Sequence, residues 1–322
     1  MKKIAVADVG GTHARFAIAE IDGGKVVALD DPVTLKTSEH GSFQLAWQEF
    51  GRRAGIKLPD SLAIAFAGPV EGEVLKLTNN PWVIRPALIK ERLDVDHYTI
   101  VNDFGAVAYA VATLGEEHFQ HLCGPDRPLP QEGVTSIVGP GTGLGVAALL
   151  RRGAGYEVIE TEGGHIDFAP LDKLEDRILD ELRRSFRRVS VERVVAGQGL
   201  SNLYEALATI ENLDVSIHDE KELWASALAG ADSLATAALD RLCLSLGAVA
   251  GDLALAQGAH AMVIAGGVGL RLADYLPRSG FRDRFIAKGR FERRMDEMPV
   301  KLITHPQPGL VGAAAAFAKE HA

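Results

Sequence analysis

Ile4-Ala5-Val6-Ala7-Asp8-Val9-Gly10-Gly11-Thr12-His13-Ala14-Arg15-Phe16 opens the chain. Ile4 to Val9 has the unbroken apolar character of a buried strand, Gly10-Gly11-Thr12 turns the chain, and Arg15 to Ile21 alternates as a returning strand. The layout recurs: Val134 to Val138 enters, Gly139-Pro140-Gly141-Thr142-Gly143 turns, and Leu144 to Leu150 leaves. Laid over each other without gaps, Gly11-Thr12 meets Gly141-Thr142 and Ala17 meets Ala147. Glycine turns lack Cβ atoms, so their backbone N–H groups can converge on an anion, and two such turns can clamp a triphosphate. Neither turn fits the Gly-Lys-Ser/Thr phosphate loop or the Gly-x-Gly-x-x-Gly dinucleotide spacing. Taken singly, each is also ordinary hairpin chemistry.

Asp8 ends the first apolar run, where a charge is costly unless it faces a cation or hydrogen-bond donors. One reading is a carboxylate that orients hydrated Mg²⁺, which takes few protein ligands in phosphate-transfer sites. The other is an aspartate that caps the turn.

The 322 residues exceed the usual size of one domain, which points to two lobes. Hydrophobic residues make up 47% and charged residues 24%, the balance of a globular protein. The formal charge of -9 argues against nucleic acid as a partner, and the short basic cluster Arg183, Arg184, Arg187 and Arg188 reads as a solvated helix face. Only Cys123 and Cys243 occur, which fits a reducing cytoplasm and offers neither a disulfide framework nor a cysteine zinc site. No signal-peptide core precedes Asp8, and no apolar stretch reads as long enough to span a bilayer, so no membrane role is expected.

Further along, Lys25 to Thr37 is expected to supply one strand, Phe43 to Ala54 a helix, and Ser61 to Ala67 a strand ending at Gly68-Pro69. Tyr98 to Asn102 reads as a strand that hands over to a helix at Asp103, and such carboxyl ends are where open α/β sheets place ligands. Asn79, Asn80 and Trp82 read as shaping a loop, although the amides could also reach a ligand. Gly124, Pro125, Pro128 and Pro130 suggest a connection between lobes. Helices are expected over Asp172 to Arg188, Gly199 to Glu211, Glu220 to Leu228 and Ser233 to Gln257. Met262 to Ala265 is a buried strand before Gly266-Gly267-Val268-Gly269, Arg278 to Arg294 looks basic and mobile, and Val300 to Ile303 is a late strand. The final helix, Gly309 to Lys319, is expected to return to the first lobe.

Together these segments resemble the bacterial glucokinases of the sugar kinase/Hsp70/actin superfamily. Asp8 to Phe16 looks like the first phosphate motif, Gly139 to Gly145 the second, and Ala265-Gly266-Gly267-Val268 the adenosine motif. Val101-Asn102-Asp103-Phe104 looks like the sugar and catalytic-base motif, and Glu162-Gly163-Gly164-His165 and Val191-Glu192-Arg193 resemble further sugar-binding segments. The likeness covers nearly the whole chain, with all motifs in the family's order.

The resemblance implies an α/β, two-lobed actin-like ATPase (ribonuclease H-like) fold with the active-site cleft between lobes. Residues 1–115, completed by 306–322, would form a small domain and residues 116–305 a large one. It implies ATP-dependent phosphorylation of the 6-hydroxyl of D-glucose, with Mg²⁺, in a cytoplasmic homodimer that feeds glycolysis. Asp103 would be the catalytic base, and Asn102, Asp103, Glu162, His165 and Glu192 would bind the sugar. Asp8 would orient Mg²⁺ through water, Gly10, Gly11, Thr12, Gly141, Thr142 and Gly143 would hold the phosphates, and Gly266 and Gly267 would accommodate adenosine.

In the related ROK kinases a Gly-His segment accompanies a cysteine cluster that binds zinc. No cysteine lies between Cys123 and Cys243, which favours the zinc-free branch. The alternatives are a broader-specificity hexokinase, a non-catalytic sugar-sensing regulator, and an actin-like or chaperone-like ATPase. A regulator of this kind usually carries an added helix-turn-helix, and an ATPase does not need the Asn102-Asp103 and Glu162/His165 clusters.

Overall fold

The computed structural model describes residues 1–77, 80–215 and 219–321. They form two compact units, Met1–Gly115 with Val158–Glu160 and His305–Ala322, and Glu116–Glu157 with Thr161–Thr304.

In the first unit, β1 (Lys2–Val9) and β2 (His13–Asp22) pair antiparallel from Lys2↔Ile21 to Val9↔Ala14. The unbroken apolar run of β1 has a plain cause, since both faces of the sheet are covered. Ala5 and Ala7 pack into a core with Phe16, Trp47 and Phe50, whereas Ile4 and Val6 pack into another with Leu310 and Phe317.

The segment expected as one strand from Lys25 is instead two, β3 (Lys25–Leu29) and β4 (Val33–Lys36), both paired with β2. Pro32 stands between them and cannot donate to a ladder. Helix α1 (Phe43–Ala54) has the expected bounds: Ser42 Oγ accepts from the Leu45 N–H, and Gly55 ends the helix at φ +65°.

Strand β5 (Ser61–Phe66) runs parallel to β1. A short hairpin of β6 (Leu75–Lys76) and β7 (Val83–Ile84) and helix α2 (Ile89–Leu93) then lead to β8 (His97–Asn102), parallel to β5. Helix α3 (Asp103–Thr113) begins directly at the carboxyl end of β8. The sheet order is β3-β2-β1-β5-β8.

The second unit begins with β9 (Phe119–Cys123), β10 (Gly133–Pro140), β11 (Leu144–Arg152) and β12 (Gly155–Thr161). Helices α4 (Lys173–Ser185), α5 (Glu192–Val195), α6 (Gly199–Glu211), α7 (Glu220–Ala229) and α8 (Ser233–Ala256) follow. Then come β13 (Ala259–Ile264), α9 (Gly266–Arg271), α10 (Phe281–Ile286), α11 (Glu292–Asp296) and β14 (Val300–Ile303). The sheet order is β12-β11-β10-β13-β14-β9. β10 pairs antiparallel with β11 and parallel with β13, which in turn runs parallel to β14. This is the plan of the first sheet, with β9 added as an antiparallel edge.

Three expectations change. The basic segment from Arg278 to Arg294 is ordered rather than mobile, because Phe281, Phe285 and Met295 are buried in the core of the second unit. The proline-rich stretch after Cys123 lies wholly inside that unit. Helix α8 is long and apolar enough to cross a membrane by composition, but most of it is buried among the other helices of the unit.

Both cysteines are buried and unpaired, and burial pushes each thiol up to about 12. Finally, α12 (Pro308–Glu320) belongs to the first unit and packs on α3. The approach is close: a Cβ on Gly312 would lie 1.6 Å from the Ala106 carbonyl oxygen.

Candidate active site

The first unit brings together the turn after β1 and the start of α3. Register pairs Val9 with Phe66 and Phe66 with Asn102, so Asp8 and Asp103 both sit at the carboxyl edge of parallel strands with β5 between them. Strands lie about 4.8 Å apart, so the two aspartates are roughly 10 Å apart across the sheet, with Asp103 two residues beyond Val101, which is level with Asp8.

Arg15 faces Asp8 across the hairpin, with Nη1 donating to Oδ2 at 3.3 Å. Burial pushes the Asp8 carboxyl up, and Arg15 opposes this only in part. Gly309, at the start of α12, makes room, since a Cβ there would stand 3.1 Å from the carboxylate. Among the described residues no three His, Cys, Asp or Glu side chains gather to cage a metal. One partly desolvated carboxylate beside a glycine turn does suit Mg²⁺ that keeps its waters and phosphate oxygens.

The first turn is held by its own backbone and by two side chains. The Gly10 N–H donates to His13 O at 3.0 Å. Thr37 Oγ1 and Asn80 Nδ2 both donate to Gly11 O, at 2.7 and 2.9 Å. Asn80 Oδ1 also accepts from the Trp82 N–H, so Asn80 shapes a loop, as its sequence position suggested; Asn79 lies outside the described residues.

At the start of α3, Asn102 Oδ1 caps the helix by accepting from the Phe104 and Gly105 N–H groups. Its Nδ2 donates to Gly68 O at 3.2 Å. Asp103 Oδ1 accepts from the Phe104 N–H at 2.9 Å. The Asn102 N–H donates to Glu160 Oε1 at 3.2 Å, and Gly105 leaves space for that carboxylate, which a Cβ would approach to 2.1 Å. Glu160 carried no sequence signal, because its partner is 58 residues away.

The second unit gathers the remaining segments. In its turn, the Gly141 N–H donates to Gly143 O at 2.8 Å, and the Gly197 N–H donates to Gly141 O at 2.7 Å. Glu192 Oε2 accepts from the Leu144 N–H at 2.9 Å. Gly266 adopts φ +78°, and a Cβ there would lie 2.4 Å from Pro140 O, so only glycine lets this backbone lie against the turn. Gly267 has open space over it. Among the described residues, the N–H groups of Gly11, Thr12, Thr142 and Gly143 engage no hydrogen bond. The amides of Gly10 and Gly141 are already spent inside their turns.

Glu162 and His165 flank a single 3-10 turn, with their side chains exposed and His165 Nε2 3.9 Å from Glu162 Oε2. Gly164 permits the turn to rest on β11, because a Cβ would come 2.1 Å from Leu144 O. Residues 165–168 are tied to 188–191 by bonds from Val191 N–H to Ile166 O and from Phe168 N–H to Val189 O. Arg188, read from sequence as part of a solvated helix face, lies beyond α4 and donates to Asp167 Oδ1 and to His165 O, both at 2.5 Å. Arg183 and Arg184 do make exposed pairs, with Asp180 and Glu181. Only the break in helix after Ser185 separates the two behaviours, and charge spacing does not reveal it.

Within the first unit, a glycine turn with unbonded amides, a partly buried carboxylate beside it and an aspartate at a helix start are groups suited to transfer of a phosphoryl group to an alcohol, and the second unit carries a glycine turn of its own. The family model described as Glucokinase matches residues 5–320. The glucokinase of Zymomonas mobilis is 63% identical over 319 residues, covering 99% of this chain and 98% of that protein. The crystal structure of a glucokinase from an Antarctic psychrotroph, 32% identical, covers 99% of both chains with a TM-score of 0.87. A ROK family glucokinase from Streptomyces griseus, 20% identical, covers 97% of this chain and 98% of its own at a TM-score of 0.64, which shows the shared actin-like ATPase fold. Motif order, sheet plan and near full-length identity agree, and the chain belongs to the glucokinase family.

Proposed function

We propose that this protein is an ATP-dependent glucokinase that transfers the γ-phosphoryl group of ATP to the 6-hydroxyl of D-glucose, giving glucose 6-phosphate and ADP. The observation that carries the reading is the pair of aspartates at one sheet edge. Asp8 stands beside the first glycine turn, and Asp103 starts α3 two strands away. A lateral spacing of roughly 10 Å leaves room for a phosphoryl group and an acceptor oxygen between them.

In this reading the Phe104 N–H holds Asp103 Oδ1, and the carboxylate takes the proton from the 6-hydroxyl as that oxygen bonds to the γ-phosphorus. The bond from phosphorus to the bridging oxygen breaks, and ADP leaves with that electron pair. The unbonded amides of Gly11, Thr12, Thr142 and Gly143 donate to the phosphates, with Gly10 and Gly141 shaping the turns, and Gly266 and Gly267 give adenosine access to the backbone. Asp8 would hold hydrated Mg²⁺, which neutralises phosphate charge when bound. Asn102, Asp103, Glu162, His165 and Glu192 would pair with the sugar hydroxyls, so an analogue lacking one leaves polar groups unpaired.

Cytoplasmic location, entry of the product into glycolysis and assembly as a homodimer belong to the same reading and are supported by the family resemblance. Sedimentation of the purified protein tests the last.

The deciding experiment incubates the protein with Mg-ATP and a panel of hexoses while measuring both ADP and sugar phosphate. Glucose should give equal amounts of each, and Asp103→Asn should lower kcat by about 10²–10⁴-fold with the fold intact. Near-normal turnover in that variant would reject the role of Asp103.

A further inference from the structure

Glu192 enters the reading above as a sugar ligand, yet its strongest contact in the structure is with the second glycine turn. Oε2 accepts from the Leu144 N–H at 2.9 Å, and Gly143 leaves the space it occupies, because a Cβ there would come 2.6 Å from that oxygen. Five residues on, the Gly197 N–H donates to Gly141 O at 2.7 Å, and a Cβ on Gly197 would be 3.1 Å from the same carbonyl. The segment from Glu192 to Gly197 therefore grips the turn at both ends, with α5 as the rigid span between the grips. What it leaves without a hydrogen bond are the amides of Thr142 and Gly143.

We propose that Glu192 is a positioning residue for the phosphate cradle of the second turn, so that one carboxylate serves the nucleotide through Oε2 and the sugar through Oε1. A carboxylate has lone pairs enough for both. With Leu144 N–H bound, the peptide between Gly143 and Leu144 is fixed, and the two unbonded amides are presented in one orientation before nucleotide arrives. A sugar hydroxyl bound to Oε1 would then steady the cradle, and by reciprocity nucleotide would steady the sugar site. The inference rests on residues 139–143 being a nucleotide turn.

The test is ADP binding with Mg²⁺ and no sugar, measured by calorimetry, where a residue that only touches sugar has no effect. Glu192→Ala should weaken ADP about tenfold, the lower range for losing a charge-assisted hydrogen bond. Glu192→Gln, whose side-chain carbonyl still accepts from Leu144, should return to within about twofold of the parent protein. Gly143→Ala should displace the same oxygen, which is the mobile end of a side chain, and its effect should add less than fully to that of Glu192→Ala. Unchanged ADP affinity in Glu192→Ala, failure of Glu192→Gln to restore it, or strict additivity with Gly143→Ala would each overturn the proposal. Absence of ADP binding to the parent protein would instead reject the nucleotide reading of the turn, and the proposal with it. Thermal melts of all variants identify any that fail to fold; if Glu192→Ala is one, Gly143→Ala alone carries the test, and ADP affinity equal to the parent's overturns the proposal.

Discussion

The two glycine hairpins share a plan and differ in how they are secured. In the gapless overlay of the two sequences, Gly11 and Gly141 coincide, and the carbonyl at that position is tied down in both. In the first hairpin the donors are the side chains of Thr37 and Asn80, and in the second the donor is the Gly197 backbone. Gly10 coincides with Pro140, which has no N–H. The bond that closes the first turn runs from Gly10 to His13 O, so in the second it starts one residue later, from Gly141 to Gly143 O. Charge differs more. Asp8 and Arg15 face each other in the first hairpin; the overlay sets Val138 and Gly145 at these positions in the second, and there Val138 pairs with Val146 and Gly145 with Gly139. The strand-turn-strand plan is common to both, with the pairing register offset by one residue, whereas electrostatic work falls to one.

If that division is right, Asp8→Asn should give the largest effect, lowering kcat/KM by about 10²–10³-fold, the scale of losing one electrostatic stabiliser. A change under tenfold, read with saturating Mg²⁺, would return Asp8 to the role of a turn cap. Gly266→Ala tests the packing against the second turn. A positive φ and a clash with the Pro140 carbonyl should cost about 2–3 kcal/mol of stability in urea unfolding, with nucleotide binding weakened as well. Thr37→Val should cost about 1 kcal/mol and raise the KM for ATP by a few-fold, with the KM for glucose unchanged. Equal rises in both KM values would show that the tie does more than hold the first turn.

The smallest expected effect concerns Asp8 and folding. Its carboxyl is held above the ordinary value of 3.8, chiefly by burial. The stability this implies is fully present below that ordinary value and is lost as pH rises through the raised one. Asp8→Asn has nothing to ionise. Its melting temperature should match the parent protein's in acid and exceed it at pH 7 by about 1–4 °C, even as activity collapses. A lower melting temperature at pH 7 would mean that the Arg15 pair outweighs burial.

Much of the fold was legible where local chemistry and tertiary packing agree. Ser42 and Gly55 bound α1, and the unbroken apolar runs of β1 and β5 reflect sheets covered on both faces. Strand β12 was missed because most of it is exposed, so Gly155 to Thr161 shows no apolar majority. The segment after Arg278 misled through its many charges, although Phe281 and Phe285 already carried helical spacing. Site identities came from motif resemblance; contacts such as Glu192 with Leu144, 48 residues apart, have no local signature at all.

The close passage of α12 over α3 at Gly312 and Ala106 reaches beyond packing. Asp103 sits on a helix whose partner is made some two hundred residues later on the ribosome, after the whole second unit has been made. The amino-terminal sheet must therefore wait, with Ile4, Val6 and Ala65 lacking the cover that Leu310 and Phe317 supply. Nascent chains short of Pro308 would expose that apolar face to chaperones, and competence for phosphoryl transfer would arrive only with the last helix.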